Sequence, residues 1–442
     1  MLRRPSRPVR ALWAAGLLSM SVVVCQASAG EPGPAPGGDL AAETVPILHA
    51  QKSGDLAVTV RGQGEDRVKF SIHNTTARRL NVILPPGLVA SSAASQGMFQ
   101  SMGLGTPTTS TAGFGRFRPT STEPGFRSIP AVPPLQDGGF VVPPGQTVEM
   151  SVPSVCLNYG IATPSPRDQF TLMDVNDYSP DPRVRKALRS LATLGTSHRV
   201  AQAVMWNVCN GLPFPLMARQ QAKRFNLAEL TLAARFVGAL DASSSSDLVD
   251  PSALIQNRVL VRVQGEGPLY QDAKRLSSEL EGQRILGLPV QVVTDLPTSP
   301  DQFSILHLNI DLTASSGDQT QGRVTVRHLP LGSAWTTLGQ GALEASANSA
   351  DLSAIVLADS VDRAVASALV NTKVVRHSTG ATTIRIVNRL PFTLAHVVVK
   401  AGRSDDAGRV NLNALGVGPG RSGLATIQAA TGTVERVELN GL

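Results

Sequence analysis

Between residues 181 and 240 the apolar residues recur at helical spacing, whereas upstream they alternate as in a strand. That change of period bars a single repeating layer, because side chains on one helix face return every 3.6 residues and those on one strand face every two. Upstream, Leu56, Val58 and Val60 alternate, then Val68, Phe70 and Ile72, then Leu80, Val82 and Leu84. His73-Asn74-Thr75-Thr76 reads as a turn between two of these runs. Inside the helical stretch, Asp181-Pro182 is a helix start, an N-cap acid before proline at N1. Val184, Leu188 and Leu191 follow at helical spacing and Gly195 stops the run. Thr196 or Ser197 caps the next helix, which Gly211 and Pro213 end. Leu216–Ala222 and Leu227–Leu240 continue as helix.

The C-terminal end repeats the layout of the N-terminal one. Ile384 and Ile386 lead to an Asn388 turn, and Leu394 with Val397–Val399 supplies the next strand. Val417-Gly418-Pro419-Gly420 precedes Leu424 and Ile427, as Val142-Pro143-Pro144-Gly145 precedes Val148, Met150 and Val152. Between them, 258–376 reads as mixed α/β, with strands at Val259–Val263, Val290–Val293, Ile305–Leu312 and Arg323–Arg327. Its helices are Tyr270–Glu281 and Leu352–Val370, the latter opening on Asp351. The expectation is a multidomain α+β protein in which two small antiparallel β-sandwich (Ig-like) domains flank a helical subdomain and a mixed α/β domain. The boundaries read as a signal peptide at 1–29, a Pro/Gly/Ala-rich leader at 30–44, and a first sandwich at 45–156 with a long loop at 90–139. The helical subdomain is 157–240, a Ser-rich linker 241–256, the α/β domain 257–377 and the second sandwich 378–442.

Arg3, Arg4, Arg7 and Arg10 precede an apolar run to about Cys25, and Ala27-Ser28-Ala29 follows as a cleavage site, which together describe a secretory signal peptide. Export to the periplasm or cell surface is expected, with no membrane span in the mature chain and lipidation of Cys25 as the alternative. The formal net charge of +7 falls to +3 once those four arginines are removed. With 4% aromatic residues and scattered basic ones, the chain is not expected to bind nucleic acid.

Two cysteines, Cys156 and Cys209, remain for an oxidising compartment. Cys156 closes a strand-like run, and Gln202 and Cys209 lie seven apart on one helix face. Cys156 therefore has two candidate partners. A Cys156–Cys209 disulfide would staple strands to helices. A Cys156–Gln202 thioester, formed by loss of ammonia, would give an acyl group open to amines. A third reading keeps Gln202 as a satisfied polar residue beside a core Trp206. His198 is close enough in sequence to Gln202 to assist as acid or base.

The strings Val155-Cys156-Leu157-Asn158-Tyr159 and Ala201-Gln202-Ala203-Val204-Met205-Trp206 resemble those of bacterial thioester-domain surface adhesins. That family pairs a cysteine after β-structure with a helix motif T-Q-x-A-[apolar]-W. The likeness covers about residues 150–210 and departs at Ala201 and Val204. It implies a Cys156–Gln202 bond shielded by Trp206. The whole chain also resembles exported planctomycete-type proteins, a likeness that supplies no activity.

Seven histidines are spread without metal-ligand spacing, and no G-x-S-x-G, S-x-x-K or Walker motif occurs. Asp174, Asp177 and Asp181 lack the glycine and final glutamate of an EF-hand and read as turns and a helix cap. No metal and no cofactor are expected. The expected function is binding or adhesion at the cell envelope without turnover, with envelope or cell-surface components as partners. A disulfide-stapled structural protein and a hydrolase with dispersed residues are the alternatives.

Overall fold

The structure is a computed structural model in which the described residues are 42–92, 100–105, 139–243, 247–256, 258–296, 305–330, 334–378, 381–401, 408–427 and 432–442. The segment expected as signal peptide, with Cys25, and most of the expected leader and of the 90–139 stretch lie outside them. Residues 42–442 form one unit.

The N-terminal elements are β1 (Glu43–Pro46), α1 (Ile47–Lys52), β2 (Leu56–Gly62), β3 (Arg67–Asn74), β4 (Leu80–Ile83), β5 (Leu88–Ser91), β6 (Met102–Leu104), β7 (Phe140–Val142), β8 (Thr147–Cys156) and β9 (Gln169–Asp174). The sandwich expected here is overturned. Six strands close into a barrel in the order β2-β3-β8-β6-β5-β9, and β1, β4 and β7 form a separate three-stranded sheet. Closure comes from strands that carry little periodicity: β5 and β6 are four and three residues long. The last, β9, covers β2 through Val60 opposite Phe170 and Arg61 opposite Gln169. A closed ring leaves no strand edge exposed to another chain. The alternating Val68, Phe70 and Ile72 of β3 point into this core, each fully buried.

The helices α2 (Val175–Tyr178), α3 (Pro182–Leu194), α4 (His198–Asn210), α5 (Phe214–Gln220), α6 (Leu227–Ala242) and α7 (Pro251–Ile255) follow. Asp181 caps α3 by accepting from the Arg183 N–H, Ser197 caps α4, and Gly195 and Gly211 close both helices at φ 70° and 63°. Asp174 caps α2 and Asp177 lies within it, so two of the three aspartates of this segment act as caps. Asn226 and Glu229 form a capping box on α6.

Next come β10 (Val259–Gly265), α8 (Leu269–Leu280), β11 (Arg284–Ile285), β12 (Leu288–Val292), β13 (Ile305–Ser316), β14 (Gln319–Leu329), β15 (Thr336–Ala345) and α9 (Ala354–Leu369). The strands form a six-stranded mixed sheet, β11-β12-β10-β13-β14-β15. Capping of α9 falls to Ser353 rather than Asp351. At Gly341 a Cβ would lie 2.4 Å from the Ala364 carbonyl, so only glycine lets α9 lie this close to β15.

The chain ends in β16 (Val370–Ser378), β17 (Ala381–Asn388), β18 (Leu394–Ala401), β19 (Arg409–Val417), β20 (Ser422–Ile427) and β21 (Gly432–Leu439). These make two three-stranded sheets, β16-β17-β20 and β19-β18-β21. One continuous core joins them to the helices and the mixed sheet, running from Val89 to Leu442. Two Ig-like sandwiches around an independent helical subdomain therefore do not describe this molecule.

The echo between the two ends is nonetheless real at the level of hydrogen bonds. In β3 and β17 the last residue is a fully buried asparagine. Asn74 Nδ2 donates to Arg78 O at 2.7 Å and Val142 O at 3.0 Å. Asn388 Nδ2 donates to Phe392 O at 2.7 Å and Val417 O at 3.0 Å. Each Oδ1 accepts the N–H two residues on, from Thr76 or Leu390. Leu56 faces Asn74 as Val370 faces Asn388, and Leu80 faces Val142 as Leu394 faces Val417. The corresponding strands are β2/β16, β3/β17, β4/β18, β7/β19 and β8/β20. One copy is closed into a barrel and the other is not.

Candidate functional site

Cys156 and Gln202 do meet, through a different part of the cysteine than a thioester needs. Pairing between β3 and β8 ends at Arg67 opposite Pro153. Beyond it, the side of β8 that faced β3 has no strand at Cys156. Gln202, 1% exposed in the second turn of α4, fills the gap. Its Oε1 accepts from the Cys156 N–H at 2.9 Å and its Nε2 donates to the Cys156 carbonyl at 2.8 Å. A side-chain amide thus stands in for the peptide group of a missing neighbour strand, and both buried main-chain groups are satisfied.

The sulfur stands elsewhere. Cys156 belongs to the barrel core, and its Sγ donates to the Glu65 carbonyl at 3.5 Å. Burial, with the Glu65 charge adding to it, pushes the thiol up to about 12. A thiol must ionise to act as nucleophile or ligand, and burial favours the neutral form of this one near neutral pH. Cys209, half-buried against the other core, is also pushed up to about 12, by burial first and then by Asp181. Both cysteines are free thiols. The candidate staple between them is absent because β8 alternation turns the Cys156 side chain into the barrel, whereas Cys209 packs on the helical side.

His198 is 7% exposed at the start of α4. Burial, and then the neighbouring Arg199, lowers it to about 3, so the imidazole is neutral. Trp206 lies one turn beyond Gln202, as expected, and is 4% exposed. Tyr159 and Phe225 meet it edge-on, with centroids 4.9 and 5.7 Å away, and the Arg224 guanidinium lies 5.3 Å over the ring.

Sequence reasoning missed the charged layer over this aromatic trio. Glu65, in the β2–β3 turn, pairs with Arg199 at 3.0 Å and Arg224 at 2.9 Å. Arg199, Arg219, Gln220, Gln221, Ala222, Lys223 and Arg224 line an open cleft of about 640 Å³. Residues 181–242 hold nine Lys and Arg against three Asp and Glu, a net +6. The run Arg219-Gln220-Gln221-Ala222-Lys223-Arg224 was the available signal. Among the described residues no group of three or more His, Cys, Asp or Glu is placed to hold a metal.

Comparison with protein-family models gives no match. No curated protein matches the chain either.

Proposed function

We propose that the chain is an exported, non-catalytic binding protein of the cell envelope, in which the Cys156–Gln202 contact is a non-covalent joint between barrel and helices. The observation that carries this reading is the double hydrogen bond of the Gln202 amide to the Cys156 main chain. An amide held at both ends is occupied, and a thiol raised by burial is a poor nucleophile. The basic N-terminal segment with its apolar run and A-x-A site supports export. What the helical region turns outward is charge, and charge on an open concave surface serves association more readily than turnover.

The intact mass of the exported protein, native and reduced, tests this. The expected mass is that of the cleaved sequence, unchanged by reductant. A deficit of about 17 Da that survives reductant would mean ammonia loss and a thioester. One of about 2 Da that reductant reverses would mean a disulfide.

A further inference from the structure

We infer that the cleft at the α5–α6 turn binds a multiply charged oxyanion of the phosphate class; this rests on the binding reading above and names its site and ligand chemistry. Four cations converge there, and they are of two kinds. Arg199 and Arg224 are fixed, because both guanidiniums are tied to the one carboxylate of Glu65 and Arg224 also rests on Trp206. Arg219 and Lys223 are exposed and have no carboxylate partner among the described residues. Among the described residues Glu65 is the only acid in contact, and it already serves two arginines, so the cleft keeps an excess of positive charge.

Two neutral amides, Gln220 and Gln221, sit in the same wall, and both contact the Tyr159 hydroxyl behind it. The Tyr159 hydroxyl donates to Gln220 Oε1 at 3.5 Å and accepts from Gln221 Nε2 at 3.3 Å. The volume of about 640 Å³ falls within the range of small-ligand clefts, about 300–1,000 Å³. Guanidinium forks match tetrahedral and planar oxyanions, and a mixture of fixed and mobile cations allows capture followed by closure of the contact. A nucleic-acid strand is a poor fit, since the one tryptophan beside the cleft is 4% exposed and offers no stacking face. The net +6 of residues 181–242 would attract such a ligand over a Debye length at low salt.

The test is titration calorimetry of the full mature chain at low salt with inorganic phosphate and, separately, with phosphatidylglycerol and phosphatidylcholine vesicles. Arg219→Gln/Lys223→Gln removes the two unpaired cations. Lys373→Gln/Arg376→Gln, on the exposed strand β16, removes the same charge elsewhere. The expected result is phosphate or phosphatidylglycerol binding that the first variant weakens about tenfold or more and the second leaves within about twofold. Binding of phosphate alone would identify a soluble phosphorylated ligand; vesicle binding that phosphate displaces would identify a lipid headgroup. No binding of either, or equal losses in both variants, overturns the site. Failure here with an undiminished intact mass removes only the oxyanion site, whereas a deficit of about 17 Da removes the non-covalent Cys156–Gln202 joint and leaves the oxyanion site to the titration.

Discussion

Single polar side chains hold the strand ends of this protein. Gln202 completes the sheet at Cys156, and Asn74 and Asn388 each tie a strand end to a distant turn. Asn388 Nδ2 reaches three carbonyls, Phe392, Val417 and Gly418, at 2.7, 3.0 and 3.1 Å. Asn388→Ala should cost about 2–4 kcal/mol in urea unfolding, since the carbonyls and the Leu390 N–H stay buried without it. A loss under about 1 kcal/mol would mean that water takes its place. The sequence shows both ends of this link, an Asn turn and a V-x-P-G turn, as separate local signals. The bond between them spans 29 residues and is set by strand pairing, which no local pattern carries. The same holds for Gln202. Spacing and motif put it beside Cys156, but which atoms meet depends on where β3 stops.

At the scale of elements, long periodic segments were legible and short closing ones were not. Helices α3, α4 and α6 and strands β2, β3, β13 and β14 fall where periodicity and caps put them. β5, β6 and β9 turn an open arrangement into a barrel, and they are brief or lie in a segment read as helical. Contacts between elements add a further layer. In the second copy, Arg421 occupies the place of Gln146 after the Pro-Gly turn, and its guanidinium pairs with the fully buried Glu229 of α6 at 2.7 and 2.8 Å. That pair joins the C-terminal sheets to the helices. Arg421→Gln restores the residue of the first copy and should cost about 3 kcal/mol by thermal or urea unfolding, because Glu229 then keeps its burial without a cation. A variant as stable as the parent would show that the helices and the C-terminal sheets are joined by apolar packing alone.

For the whole molecule, buried titratable groups set the response to acid. Burial is the first cause that holds His198 at about 3 and His307 and His328 at about 4, all below the usual 6.5. Groups depressed in this way contribute stability that is present above pH 6.5 and is lost as pH falls toward 4, since the unfolded chain takes up protons first. Asp362 works the other way. Burial raises it to about 7, so between about 3.8 and 7 the folded state holds the extra proton and stability falls as pH rises. Three histidines outweigh one aspartate, and the melting temperature should fall steadily from pH 7 to pH 4. Asp362→Asn should raise stability at pH 8 and steepen that fall. A flat profile between pH 7 and 5 would contradict the assignment of neutral buried histidines.

The concentration of charge belongs to this scale too. Along the chain the basic residues look scattered, and folding brings Arg199 of α4 against the 219–224 turn under a carboxylate from the barrel. The Gln202 amide, acting on the Cys156 main chain, joins the barrel to the helices. Denaturant unfolding of Gln202→Ala beside Cys156→Ala tests this joint. The expected result is a loss of about 3 kcal/mol or more for Gln202→Ala, which strands a buried N–H and C=O, against about 1 kcal/mol for Cys156→Ala, which leaves both bonds in place. Equal losses in the two variants would mean that the side chains act as one bonded unit, and the claim would fall.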